Sequence, residues 1–384
     1  MSQEAIKELL GRMRHRYRRA GKAYKGRLLD EFCDYTGYSR KYACKLLNSS
    51  APKRKASAGR KKVYNEEVKQ VLKVIWLTSD QLCSKLLKPV IALYLPGYER
   101  LYGPLDEALK EKLLRISPAT IDRLLRPERL ARMRSRRARI RNPVREAVPL
   151  RCEAWDVEGP GWMEFDTVAH CGGSMRGNFV WTLTGTDIFS GWTECRAVWN
   201  RGAQAVRTGF GEMEKDIPFA LRGADFDNGS EFLNWHLHDY LLKREKPVEM
   251  TRSRPYHKND NAHVEQKNFT HVRRLLGYER FEEHELVEKI NRIYEVWIPF
   301  KNFFAATFRL KEKQRVGAKY KRAFEVPRTP YQRLMESDRI APETRKRLRD
   351  QFEALDPFEL KAELERRLKE VFTHETRERK VSSF

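Results

Sequence analysis

The chain is poor in the features that would tie it to a wall, a membrane or a zinc ion. Its six cysteines (Cys33, Cys44, Cys83, Cys152, Cys171 and Cys195) include no CxxC pair and form no even framework, so they read as reduced thiols and not as disulfides. No run of eighteen apolar residues exists, which excludes a helical membrane span. The first residues, with Glu4, Lys7 and Glu8, lack the apolar stretch of a secretory signal. Only His15 precedes residue 170 among the nine histidines, so an N-terminal zinc module has no ligand set and no zinc is expected. No internal period marks a repeat array.

Positive charge is what the chain has in excess. Its 384 residues carry 77 Lys and Arg against 53 Asp and Glu, a net +24. Such a surplus favours a polyanionic partner, nucleic acid before any membrane surface. The distribution says more than the total: residues 1–147 are net +21, residues 148–300 net −5, and residues 301–384 net +8. A simple coat for DNA has no use for an acidic centre. A phosphoryl-transfer enzyme does, because its metal ions need carboxylate oxygens.

The expected organisation follows the pattern of apolar residues. Residues 1–50 read as a helix-turn-helix DNA-binding module: Leu28, Leu29 and Phe32 share one helical face, Gly37 breaks the run, and Ser39 can cap a second helix carrying Ala43, Leu46 and Leu47. Arg40, Lys41 and Lys45 lie on its polar side as DNA contacts. Residues 51–64 form a basic linker. Residues 65–127 read as a second helical (helix-turn-helix) DNA-binding module, with Val68, Val71, Leu72 and Ile75 at helical period, Asp80 as a cap, and Ser117-Pro118 opening a further helix. Residues 128–150 form an arginine-rich connector, with Arg132, Arg136, Arg137 and Arg139 as phosphate contacts.

Residues 151–300 change character. Three strand-like segments (161–169, 178–187 and 191–198) precede a helix, a strand at 219–227, a helix, a short strand at 248–251 and two helices. Phe179, Trp181 and Leu183 alternate, as in a strand with one buried face. Short early connections imply antiparallel pairing and later helical crossovers imply parallel pairing, giving a mixed five-stranded sheet with flanking helices. Residues 301–384 read as a basic C-terminal DNA-binding or assembly region, with short strands and then a helix over 343–372. The fold class is therefore multi-domain, helical at the N-terminus with a central α/β core.

Three acids stand out by context: Asp166 in the strand-like WMEFDTVAH, Asp227 in ADFDNGSEF before an Asn-Gly turn, and Glu265 in KNDNAHVEQKN near a helix start. Carboxylates converging from separate rigid elements suit a divalent-metal pair. Asp156, Glu164 and Asp225 are alternatives that spacing alone does not remove, since Glu164 and Asp225 share a strand face with Asp166 and Asp227. Asp187, before Phe189-Ser190-Gly191, reads as a turn support. Lys258, Asn261 and Lys267 flank Glu265 and are read as DNA contacts.

In that order, FDTVAH, ADFDNGSEF and RPYHKNDNAHVEQKN resemble the DDE integrase core of bacterial insertion-sequence transposases and retroviral integrases. The 37 residues between Asp227 and Glu265 are close to that family's spacing. The resemblance implies an RNase H-like core in which Asp166, Asp227 and Glu265 hold two Mg²⁺ ions, with Mn²⁺ as a substitute. It also implies cleavage at the element's 3′ ends and strand transfer into target DNA, a homodimer or larger synaptic assembly, and a bacterial cytoplasmic, nucleoid-associated location. The competing expectations are an RNase H-like endonuclease without strand transfer and a catalytically silent DNA-binding regulator.

Overall fold

The computed structural model describes residues 3–49, 63–132, 157–226, 231–232, 234–252, 262–316 and 319–381. They fall into two compact units, Met1–Val63 and Tyr64–Phe384. The first unit holds three helices, α1 (Gln3–Arg19), α2 (Lys22–Thr36) and α3 (Arg40–Asn48). Met13 and Tyr17 of α1 close over Leu28, Leu29, Phe32, Ala43 and Leu47. α1 precedes the two helices expected from the sequence and completes their core. Gly37 makes the α2–α3 turn in the left-handed region at φ 72°, its N–H bonded to the Cys33 carbonyl. Ser39 stands at the cap position of α3 without a side-chain hydrogen bond.

The second unit opens with α4 (Glu66–Thr78), α5 (Ser84–Leu87), α6 (Ile91–Tyr102), α7 (Glu107–Arg115) and α8 (Pro118–Arg132). Asn65 caps α4 by accepting the Val68 N–H at 3.1 Å. Asp80 does not cap the next helix as the sequence suggested. It and Gln81 occupy positive φ (58° and 57°) in a turn. That turn is held by the Gln81 N–H on the Trp76 carbonyl and the Trp76 indole N–H on the Leu82 carbonyl, and it consumes the residues that a cap would need. Ser117 does act where expected, accepting the Thr120 N–H ahead of Pro118.

The sheet comes next: β1 (Trp162–Ala169), β2 (Val180–Asp187), β3 (Thr193–Trp199), α9 (Ala203–Asp216), β4 (Gly223–Phe226), α10 (Trp235–Leu242) and β5 (Glu249–Arg252). Its order is β3-β2-β1-β4-β5. β1–β2 and β2–β3 pair antiparallel, β1–β4 and β4–β5 parallel, as the connection lengths required. α11 (Ala262–Lys267) runs into a π-helical segment, Asn268–Arg273, and a last turn, Arg274–Leu276. α12 (Leu286–Phe304), the hairpin β6 (Leu310–Val316) and β7 (Lys319–Phe324), α13 (Pro330–Glu336), α14 (Pro342–Ala354) and α15 (Pro357–Val381) complete the chain.

Alternation along the strands sorts side chains into two layers. Met163, Phe165, Leu183, Ala224 and Phe226 meet α9 and α10 through Val206, Phe210, Met213, Leu237 and Leu241. Val168, Val180, Cys195 and Ala197 face the opposite way, against Val272, Ile290, Ile293, Tyr294 and Trp297, with Leu364 and Val371 of α15 outside them. β2 is accordingly buried along its whole length and not on one face only, because helices cover both sides of the sheet. The single C-terminal helix expected over 343–372 is two helices. Pro357 opens the second, and the Asp356 carboxylate accepts the N–H groups of Phe358 and Glu359.

The helices of residues 64–132 share one apolar core with the β2–β3 turn, α12 and the C-terminal segment. Val68, Leu72, Ile75, Tyr94, Leu113 and Leu125 are contiguous with Trp192, Phe303, Phe304, Leu334, Leu348 and Phe358. A cavity made there is felt across the unit. Leu72→Ala is expected to cost about 2–5 kcal/mol and to lower one common melting transition of residues 64–384. Calorimetry resolving a separate, earlier transition for the helical segment would contradict the shared core.

Candidate active site

The acidic face of β1 looks towards α11. Glu164 is fully buried, and its parallel partner in β4 is Asp225, 2% exposed. The Glu164 Oε2 accepts the Val264 N–H at 2.9 Å, while its Oε1 is buried without a hydrogen-bond partner. Asp225 accepts the Thr251 hydroxyl at 2.6 Å from the next strand. Burial, with the charges of Asp225 and Glu265 adding to it, pushes the Glu164 carboxyl up to about 8, so the proton stays on at neutral pH. Two of the three alternatives that spacing left open, Glu164 and Asp225, therefore form an inner pair, out of reach of solvent.

Two residues along β1, Asp166 is half-buried. Its Oδ1 accepts the Thr167 N–H at 2.7 Å and its Oδ2 accepts the Asn268 amide at 2.6 Å. Glu265, on α11, is exposed. Its helix is tied to β1 on both sides of it, by Val264 to Glu164 and by Asn268 to Asp166. Asp166 and Glu265 are thus carried by elements stapled together within a few residues of each carboxyl. Asp227 and Asp156 lie outside the described residues, as do Lys258 and Asn261. Among the described residues, no group of three or more acidic, histidine or cysteine side chains is arranged to hold a metal ion.

A further acid that the sequence did not single out lies beside this face. Glu231, 5% exposed, accepts from the Thr167 hydroxyl at 3.4 Å and from Arg201 at 3.2 Å. Its position six residues after Asp225 gave no local signal, because the contact joins separate elements.

Lys267 is a correction. It is 7% exposed, and its ammonium donates to the Gly191 carbonyl at 3.0 Å, so it does not reach out to DNA. Two residues along a helix from Glu265 is about 200° around it, which sends Lys267 inwards. Burial first, then the nearby cations Lys301 and Arg333, bring its pKa down to about 7. Arg333 reaches the same turn from α13, donating to the Ser190 carbonyl at 3.1 Å and to Thr307. Gly191 has φ 75°, a conformation that suits glycine. Asp187 holds the other side of the turn, accepting from the Ser190 N–H, the Ser190 hydroxyl and the Gly161 N–H, as the sequence suggested.

The other expected DNA contacts are dispersed. Arg40 is ion-paired with Asp30, and Lys41 and Lys45 are exposed on α3. Arg132 ends α8, and Arg136, Arg137 and Arg139 lie outside the described residues. No helix of the described residues is long and apolar enough to cross a membrane.

No protein-family model matches the chain. The uncharacterized protein y4rM of Sinorhizobium fredii (strain NBRC 101917 / NGR234) is 41% identical over 331 residues, which span 85% of this chain and 94% of that protein. The chain belongs to the y4rM family. Similar solved structures are the catalytic core domain of HTLV-2 integrase in complex with magnesium, in a dimeric form, and that of BIV integrase. The first is 12% identical with a TM-score of 0.29, covering 39% of this chain and 91% of that one. The second is 16% identical with a TM-score of 0.29, covering 47% and 97%.

A cavity of about 520 Å³ opens elsewhere, between β3, α12 and α14, and none of the acids described above lines it. Glu194 at its wall accepts the Trp192 indole N–H at 2.8 Å, and burial pushes its carboxyl up to about 8. The folded protein then holds a proton that the unfolded chain has released above its ordinary pKa of about 4.3. Stability due to this group is therefore lost as pH rises from there through about 8. Melting temperatures across that range should fall more steeply for the wild type than for Glu194→Gln. Parallel curves would show that Glu194 ionises normally.

Proposed function

We propose that the chain is a DDE-type DNA transposase that cuts the ends of a mobile element and joins them to target DNA. The observation that carries this reading is the stapling of Asp166 on β1 to the helix that bears Glu265, in a chain whose motifs run in the DDE order. Asp227, two residues beyond Asp225 as Asp166 is two beyond Glu164, is the third acid of the proposed set. The mixed sheet, with its antiparallel half and its parallel half, supports an RNase H-like core.

The residues present suit a hard divalent cation. Carboxylate oxygens are what Mg²⁺ and Mn²⁺ prefer, and the buried, unpartnered Asn268 Oδ1 leaves an acceptor beside Asp166 for a water arriving with such an ion. Asp166, Asp227 and Glu265 would hold the metal. When bound, two such ions supply an activated attacking oxygen and charge stabilisation for the leaving one. The chain's own part is to fix its carboxylates: Thr167 and Asn268 orient Asp166, and the buried Glu164 anchors the start of α11. The basic flanks would hold the duplex, with Lys41 and Lys45 on α3 and the arginines of 132–139 as phosphate contacts. Two element ends held together call for a homodimer or larger assembly.

The test is cleavage and joining of a labelled duplex taken from the DNA flanking the gene, with Mg²⁺. Asp166→Ala, Asp227→Ala and Glu265→Ala should each lower both steps on the order of a thousandfold, about 4 kcal/mol of transition-state stabilisation. Metal-free binding to the same duplex should be unchanged. Nicked but never joined product would point to an endonuclease, and binding without nicking to a silent regulator.

A further inference from the structure

We propose that the cavity between β3, α12 and α14 is a binding site for a small organic cation, an amine or amidine on an apolar body, whose charge meets the carboxylate of Glu194. The site is separate from the acids around β1 and does not depend on what they do, since none of them lines it. Its volume of about 520 Å³ lies within the roughly 300–1,000 Å³ of small-molecule pockets. The apolar part of its wall includes Trp192 and Phe303, both buried and meeting edge to face at 5.4 Å, with Ile298 and Leu355. Such a wall takes an apolar body, and aromatic rings attract a cation held near their faces.

The sign of the ligand's charge follows from how the lining groups are paired. Asp216, at the end of α9, is ion-paired with Arg196. Glu295 of α12 is ion-paired with Arg367 at 2.9 Å. Arg347 of α14 donates to the Pro218 carbonyl at 2.9 Å. Lys215 is exposed, so its ammonium keeps its water. Glu194 is different: it is 8% exposed, and its Oε1 accepts the Trp192 indole N–H at 2.8 Å. Among the described residues no cation is ion-paired with it, and no donor meets its Oε2. Arg196 shares its strand face two residues on, but turns its guanidinium to Asp216 and Glu212.

A carboxyl placed so is short of a counter-charge, and it keeps its proton instead. Burial raises its pKa, with Asp216 adding to the effect and Arg196 opposing it. Burial raises the Cys195 thiol and the Tyr294 hydroxyl as well, so these two lining groups stay neutral and supply no charge. An anion entering the cavity would meet the carboxyl as a like charge. Water would hydrate it without neutralising it. A cation supplies both the donor that Oε2 lacks and the charge that lets the proton leave, and hydrogen bonds between ionised partners are the strong ones.

Benzamidine, titrated into the full chain and followed by calorimetry, tests this. The wild type should bind it at millimolar concentration or below, and should bind benzamide, the same shape without the charge, at least about tenfold more weakly. Glu194→Gln keeps an acceptor for the Trp192 indole and should lose about tenfold to a hundredfold in benzamidine affinity. Ala354→Trp, at an exposed position on the wall, should block uptake with the melting temperature unchanged. Because the cation meets the ionised carboxyl, wild-type affinity should rise about tenfold for each pH unit on the approach to about 8 and level off above it. Binding below that pH should release the carboxyl's proton, read as a heat that changes with the buffer. Both effects should vanish in Glu194→Gln. No uptake by the wild type, or equal affinity in Glu194→Gln, would overturn the site whatever the cleavage assays give. Should Glu194→Gln fail to fold, benzamide binding as tightly as benzamidine would overturn it.

Discussion

Glu164 and Asp225 stand side by side on paired parallel strands, in a layer from which water is excluded. Two carboxyls so placed resist ionising together, and the chain meets the constraint by holding a proton on Glu164 and by bringing donors from two neighbouring elements. One donor is the backbone of Val264, which begins the helix of Glu265. The other is Thr251 on β5. The inner pair therefore fixes how α11 and β5 meet the middle of the sheet, and Asp166 and Glu265 take their places from that arrangement.

A second set of contacts reaches the same helix from the opposite end of the chain. Lys267 and Arg333 are buried basic side chains, and their described hydrogen bonds at the Ser190–Gly191 turn go to backbone carbonyls. Removing either donor takes a hydrogen bond from a backbone carbonyl of the turn. Arg333 belongs to α13, beyond the β6–β7 hairpin, so the C-terminal region contributes to the bracing of the β2–β3 turn on which α11 leans.

What the sequence made legible was local. Strand alternation, helical period and the lengths of the connections were enough for the mixed sheet, its pairing senses and short strands after residue 303. Asp187 as a turn support followed from the residues beside it. The failures share a cause. Lys267 looks like a surface base until the helix is wound and its far side is filled. Asn268 closes the VEQKN segment, yet nothing local reveals its contact with a partner 102 residues away. Residues 64–132 have the period of a free-standing bundle, and nothing local reveals that Phe303, Leu348 and Phe358 finish their core. Asp80 reads as a cap because its residue type fits, whereas the backbone there follows hydrogen bonds made by Trp76.

That shared core sets an order of events during synthesis. Tyr94 packs its ring against Phe304 and Phe358, and its hydroxyl donates to a carbonyl 210 residues later. A ribosome adding about 5–20 residues per second needs roughly 10–40 s to cover that distance. For that time the early helices emerge with their apolar faces uncovered, open to chaperones and to other nascent chains. Assembly of this core is thus gated by the last helices to be made, and a truncated product would carry an excess of positive charge and an unfinished interior.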